Sequence, residues 1–391
     1  MTAITLERML LIMKKLIALL LAMSICILCA ACGSDDPSET MGEPVLNDPE
    51  TTAPVTEATE PATEAVTEAP TEEVTEPVTE ATEPPALYTN PLTGEALDAP
   101  SEIRIVAVTV NNVPDALPHR GVNQADLFFE MFVNDGATRG LALYNDITEA
   151  ETIGSIRSTR YNFTDIAQSY DAFLAHAGGS NQVLSDLKKA GVPNFNIDVQ
   201  NRAYYAFRDT GRKSSGYAWE HCLFTTGAGL CELMQKKEWT DRDPEKTYGL
   251  CFTQDGTPVN GEDANQINIT FKLGKAKKTS TLTYSQEDGQ YIYTQYGNGV
   301  KDVGEDYWEY FENVFVIMTN VQNSGVYHVA DLIGSGDGYY ACGGKIIPIR
   351  WSRETDTSPF IYTHTDGTQL EQGIGSSYIA IVPLQSTVAY Q

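Results

Sequence analysis

Histidine is scarce in this chain, with five in 391 residues, and no lysine or arginine occurs between positions 33 and 86. So few imidazoles argue against a histidine-only metal centre. His221-Cys222, Cys231 and Cys251 lack the spacing of a zinc finger, so no metal and no cofactor is expected. Also missing are the G-x-x-x-x-G-K-[ST] phosphate loop, H-E-x-x-H, G-x-S-x-G and the calcium-loop pattern. Bases are few overall: 26 Lys and Arg stand against 53 Asp and Glu, a formal charge of -27. Such a surface repels nucleic acid, and any grip on phosphate has to come from a local basic pocket.

What is present begins with a targeting signal. Lys14 and Lys15 precede an uncharged apolar run over 16–31. That run is shorter than the about 20 residues a membrane span needs, and its length suits a signal-peptide core. It closes on Cys29-Ala30-Ala31-Cys32 and then a polar stretch, the arrangement of a bacterial lipoprotein cleavage site with Cys32 as the lipidated residue, although Cys29 stands where Leu is usual. A plain signal peptide or an uncleaved anchor is the alternative. Residues 1–32 are therefore read as signal, and localisation as the outer face of a cell membrane.

Residues 33–86 hold fifteen acids and recurring Thr-Glu pairs among Pro and Ala. They cannot bury enough apolar surface to offset ordering entropy and are expected to be a disordered tether. As a flexible coil it would average about 40 Å end to end, and about 170 Å fully extended.

The fold expected beyond it is α+β: a mixed α/β domain over 87–245, then a smaller β-rich domain over 246–391. β-Branched and apolar runs predict strands at 103–110, 127–133, 141–144 and 172–176, with helices at 163–170, 181–190 and 229–237. Alternation predicts strands at 267–273, 281–284 and 291–295, and apolar runs predict further strands at 314–318, 339–342, 346–351, 360–362 and 378–382. Asp255-Gly256, Asp288-Gly289 and Asp366-Gly367 read as hairpin turns. Gly334-Ser335-Gly336-Asp337-Gly338 reads as a turn. Cys222, Cys231, Cys251 and Cys342 remain after the signal, as disulfides or as buried thiols.

Arginine gathers where the rest of the protein is acidic, at Arg139 and in Gly154-Ser155-Ile156-Arg157-Ser158-Thr159-Arg160. A helix starting at Ser158 or Thr159 would place Arg157 and Arg160 beside its free N–H groups, a setting for phosphate or carboxylate. The competing reading pairs Arg139, Arg157 and Arg160 with buried carboxylates such as Asp126 and Glu130. His176-Ala177-Gly178-Gly179-Ser180, a strand end running into a helix start, offers His176 as a base, a ligand donor, or a brace for a nearby carbonyl. His221 beside Glu220 is a weaker acid–base pair.

These residues carry a resemblance. Asn90-Pro91-Leu92-Thr93-Gly94, Gln124-Ala125-Asp126-Leu127 with Glu130, Thr138-Arg139, the 154–160 run and 176–180 resemble the YerB-like lipoproteins, and Gly343-Gly344-Lys345, Trp351 and Asp366-Gly367 resemble that family's second domain. Where the family usually has Pro-His-Asn, Glu220 and Cys222 flank His221 here. The resemblance implies a membrane lipoprotein of two linked domains and carries no established activity. The expected function is thus an envelope lipoprotein binding an anionic ligand or protein partner through Asp126, Glu130, Arg139, Arg157, Arg160 and His176. The rivals are an envelope enzyme acting on a phosphate-linked or wall-derived substrate, and a protein-interaction module.

Overall fold

Strand residues that are apolar on both faces build the centre of the molecule. The computed structural model describes residues 88–134, 136–198, 205–243, 245–299 and 309–391; the signal, Cys32 and the tether lie outside them. In the first half come β1 (Val106–Asn111), β2 (Leu127–Asn134) and β3 (Ala137–Tyr144), then α1 (Tyr161–Ser169), β4 (Phe173–His176), α2 (Asn181–Ala190), β5 (Asn194–Asn196) and α3 (Gly227–Lys237). The second half has β6 (Gln266–Leu273), β7 (Ala276–Ser285), β8 (Gln290–Gln295), β9 (Asn313–Thr319), β10 (Val321–Ser324), β11 (Tyr327–Ala330), β12 (Gly334–Cys342), β13 (Lys345–Arg353), β14 (Ser377–Pro383) and β15 (Thr387–Tyr390). The fold is mostly strand with a few helices, and after residue 245 no helix occurs among the described residues.

One large mixed sheet runs in the order β13-β12-β9-β14-β2-β3-β1-β4-β5. Strand β14 lies parallel to both neighbours, pairing Val314 with Tyr378 on one side and Phe128 with Tyr378 on the other. The main sheet therefore joins strands from both sides of residues 240–265. A smaller sheet, β8-β7-β6-β15, covers one of its faces.

Alternation sorts the core. Val106, Val108, Val110, Phe128, Phe132, Tyr378 and Ala380 face the small sheet, where Ile267, Ile269, Phe271, Leu282 and Tyr293 meet them. Ala107, Leu127, Phe129, Met131, Leu141, Leu174 and Ile379 face the other way, onto Phe163, Ile166 and Ala167 of α1 and Leu187 of α2. Burial on both faces is why these strands read as continuous apolar runs. Ser180 caps α2 by accepting the Val183 N–H at 3.2 Å, and Gly191 closes it in the left-handed region at φ 70°.

Three local expectations are corrected. Helix α1 begins at Tyr161, with Arg160 in extended backbone at its N-cap. The Gly334–Gly338 run is not a turn but the start of β12. A Cβ at Gly338 would come 2.3 Å from the Val316 carbonyl, and one at Gly336 would come 2.6 Å from the Trp351 indole nitrogen, so the glycines allow close strand approach. Asp255-Gly256 makes no hairpin; Asp255 accepts the Thr257 N–H at 3.0 Å, and the preceding Phe252–Thr253 strand pairs in parallel with Gln372–Gly373. The four cysteines are free thiols, Cys222 and Cys342 buried, Cys251 exposed.

Candidate functional site

The 155–160 segment is laid across the ends of β1 and β4 by its backbone. Arg157 N donates to Thr109 O at 3.1 Å, its carbonyl accepts from Ala177 N at 2.9 Å and from the Thr109 hydroxyl, and Thr159 N reaches Gly178 O at 3.0 Å. Ser158 Oγ donates to Ala177 O at 2.9 Å. Gly178 sits at φ +85°, in the left-handed region that suits glycine. Arg157 and Arg160 leave this segment toward Arg139, which stands on β3 and gives Nη1–H to the Ser158 carbonyl at 2.7 Å.

The electrostatics of the trio are unfavourable as they stand. Burial, followed by the charges of Arg160 and Arg157, pushes the Arg139 guanidinium well below its usual range. Burial also lowers Arg160, with Tyr327 opposing it and Arg157 adding to it. Arg160 lies 4.6 Å from the Tyr327 ring centre, a cation–π contact with the β10–β11 hairpin. Among the described residues one carboxylate forms an ion pair with the trio: Glu220, 57% exposed, 3.4 Å from Arg157 Nη1. The Nε atoms of Arg139, Arg157 and Arg160 are all buried without a hydrogen-bond partner.

The expected carboxylate partners are engaged elsewhere. Glu130 is wholly buried between the sheets, held by Lys278 Nζ at 2.5 Å, Ser280 at 2.8 Å, Asn112 at 2.9 Å, Tyr293 at 2.9 Å and Tyr378 at 2.5 Å. Burial pushes its carboxyl up, but Lys278 and the surrounding donors outweigh burial and leave it below the usual range. Asp126 accepts Asn90 Nδ2 at 2.6 Å and the Asn145 N–H at 2.5 Å, tying down the Asn90–Gly94 turn. Burial raises its carboxyl to about 6.

His176 is fully buried, with Nδ1 2.9 Å from the Gly178 carbonyl and Nε2 3.3 Å from Asn194 Oδ1; burial holds its pKa down. It braces the glycine turn that supports Ser158 and Thr159. His221 lies nearer the arginines: Nδ1 is 2.8 Å from Asn111 Nδ2, and Nε2 is 3.6 Å from the Glu220 oxygen not used by Arg157. It opens onto a cavity of about 530 Å³ lined also by Asp115, Leu117, Ser215 and Tyr217. Of the six expected residues, Arg139, Arg157 and Arg160 come together and His176 supports them from behind. Asp126 and Glu130 bond to other groups.

Two family models match the chain: the N-terminal domain of a protein of unknown function (DUF3048) over residues 92–240, and its C-terminal domain over 267–379. The chain belongs to this family. "Putative lipoprotein YerB" of Bacillus subtilis strain 168 is 25% identical over 303 residues, covering 75% of this chain and 86% of that protein. The crystal structure of the YerB protein from Bacillus subtilis shares the fold with a TM-score of 0.65 at 21% identity, covering 77% of this chain and 99% of that one. Within this family frame, the sequence motifs map onto two places: the arginine trio on the helix-bearing side of the main sheet, and the Glu130 cage on the other. Among the described residues no helix is long and apolar enough to cross a membrane.

Sequence reasoning missed Lys278, Asn112, and the buried pair His119–Glu309, in which Nδ1 and Oε1 are 2.7 Å apart. A signal for Lys278 exists: it shares the inward parity of Ser280 and Leu282 on an alternating strand. Nothing in spacing points to His119 and Glu309, which lie far apart in the chain.

Proposed function

We propose that this chain is a lipid-anchored protein of the outer membrane face, attached through Cys32, whose Arg139–Arg157–Arg160 trio binds an anionic ligand bearing a phosphate or carboxylate. The observation that carries this reading is the gathering of three guanidiniums whose charges disfavour one another, with a single, largely exposed carboxylate paired to them. Bringing guanidiniums together in a partly dry site is costly, and an anion that accepts their N–H groups relieves that cost. The N-terminus of α1, which has no side-chain cap, adds donors next to Arg160. The tether of 33–86 would let the site work at a distance from the bilayer.

The test is thermal unfolding of the full chain in detergent against inorganic phosphate, pyrophosphate and glycerol phosphate, since a ligand of the native state raises its stability with occupancy. A rise in Tm that Arg157→Ala loses, while unfolding at the parent's temperature without ligand, supports the site. No shift with any of the three anions, in a chain that unfolds cooperatively, rejects these phosphates as ligands.

A second reading, an envelope enzyme acting on a phosphate-linked or wall-derived substrate, draws on one observation. His221 lies beside Glu220 at the edge of the trio, and burial, the first of several influences, lowers its pKa and favours the neutral form that can take a proton. Turnover of a bound phosphoester, lost in His221→Gln with binding retained, separates it from simple binding.

A further inference from the structure

Between the two sheets, a lysine, an asparagine and a glutamate meet in a buried site. Lys278 Nζ lies 2.5 Å from Glu130 Oε1, and Asn112 Nδ2 donates to that same oxygen at 2.9 Å. Both nitrogens also share the Tyr293 hydroxyl, at 3.2 and 3.3 Å, so they are close neighbours. The other Asn112 atom, Oδ1, accepts from Gln295 Nε2 at 2.5 Å. Asn112 and Glu130 are 0% exposed, Gln295 1% and Lys278 4%. The rings of Phe271, Tyr293 and Tyr296 stand 5.5–5.6 Å from the amine.

We propose that this site forms an amide cross-link between Lys278 and Asn112, with Glu130 carrying the proton. Each component of an acyl transfer is in place: a nucleophile, a carboxamide carbon, a proton carrier touching both nitrogens, and a donor on the carbonyl oxygen. In the first step the Lys278 ammonium passes a proton to Glu130 across their 2.5 Å contact and becomes a neutral amine, a transfer that burial of the lysine assists and that the lowered Glu130 carboxyl opposes. The amine then attacks Asn112 Cγ, and Gln295 Nε2–H stabilises the negative charge that develops on Oδ1. Glu130 returns its proton to Nδ2 as the Cγ–Nδ2 bond breaks, and the attacking nitrogen then passes one of its own protons to the Glu130 carboxylate. The products are one Nζ–Cγ amide, one ammonia and a protonated Glu130, with no oxidant, reductant or added reagent. The link would tie the end of β1 to β7, so the two halves of the chain would be joined covalently as well as through the shared sheet.

The fit of the surroundings favours reaction over a simple ion pair in one respect. Ser280, Tyr293 and Tyr378 donate to Glu130 Oε2, leaving Oε1 to the two reacting nitrogens. The second oxygen fixes the carboxylate and the first is free to relay the proton.

The experiment is peptide mapping of the full chain, folded, then denatured and digested with trypsin. The expected product is the peptide 105–120 joined to one that begins at Lys278, lighter than the two together by one ammonia, with no cleavage after Lys278. Recovery of 105–120 unlinked at its full mass, with cleavage after Lys278, overturns the proposal. Loss of ammonia confined to 105–120 also overturns it, since that marks cyclisation of Asn112 on its own backbone. The parent chain decides the matter, so a variant that fails to fold does not obscure it. Where Glu130→Gln yields folded protein, it is expected to abolish the linked peptide, and persistence of the link there would remove Glu130 from the chemistry.

Discussion

Glu130 and Arg139 stand on neighbouring strands of one sheet and face opposite ways. Register pairs Glu130 with Gly140 and Met131 with Arg139, so Arg139 shares the side of Met131 and Glu130 that of Phe128 and Phe132. The parity of an antiparallel pair thus excludes the ion pair that sequence proximity suggests. It sends one charge to the space between the sheets and the other to the edge of α1. Thr138 and Arg139, adjacent in sequence, serve the two places separately, because Thr138 Oγ1 accepts from Asn112 at 3.1 Å.

Removing the Glu130 carboxylate leaves Lys278 buried against aromatic rings without the carboxylate it touches. Breaking one side of a buried pair costs about 3–5 kcal/mol. Glu130→Ala is therefore expected to lower the free energy of unfolding by that amount in urea denaturation. Tyr378→Phe, which deletes one donor to the same carboxylate, should lose less, about 1.5–3 kcal/mol. A Glu130→Ala chain as stable as the parent would mean the cage contributes nothing to the fold.

Arg157 behaves oppositely. Its one acidic partner, Glu220, is largely exposed, and an exposed ion pair contributes about 0–1 kcal/mol. Arg157→Ala should leave stability within about 1 kcal/mol of the parent while removing the anion-induced rise in Tm. Differential scanning calorimetry with and without phosphate reads both quantities. Destabilisation well beyond that range would make Arg157 part of the scaffold.

Much of this was legible in the sequence for a physical reason. Strands buried on both faces need unbroken apolar runs, and those at 127–133 and 378–382 announce themselves. So does α2, whose serine cap and closing glycine bracket an apolar stripe. The arginines were visible because they are concentrated in an acidic chain. What composition cannot give is pairing between distant strands, so the insertion of β14 beside β2 and the meeting of Glu130 with Lys278 were hidden. Gly334–Gly338 misled because glycine marks both a turn and a close approach of strands, and only the neighbouring Trp351 and Val316 decide which.

Asp126 predicts a pH signature. Its carboxyl is raised to about 6 in the fold, chiefly by burial, from an ordinary 3.8. The native state then holds this proton more tightly than the unfolded chain. The associated stability is present in full below pH 4 and is lost as pH rises through about 6, by at most about 3 kcal/mol. Asp165, likewise raised to about 6, contributes in the same direction. The difference between parent and Asp126→Asn isolates one group: from pH 4 to 6.5 the parent should lose stability relative to the variant, and above pH 7 the difference should be flat. Parallel profiles across that range would show that Asp126 titrates normally in the fold.

The β10–β11 hairpin covers Arg160 through Tyr327, and a single side chain clasps it to α1. Asn162 donates Nδ2–H to the Ala330 carbonyl at 2.7 Å and accepts the Ala330 N–H at 2.8 Å, all of it buried. Asn162→Ala strands both backbone groups, and an unsatisfied buried polar group costs about 1–3 kcal/mol. Much of that cost can be relieved if the hairpin lifts and lets water reach Ala330, so the variant should show faster amide exchange over 321–330 with slower change in the β1–β3 core. Lifting the hairpin also removes the ring from Arg160, which exposes the guanidinium and weakens the electrostatic hold of a half-dry site on an anion. Phosphate binding should then fall in Asn162→Ala although residue 162 touches no arginine. Unchanged exchange in the hairpin together with unchanged binding would show that Tyr327 keeps its place without the clasp, held by the packing of β11 against β2.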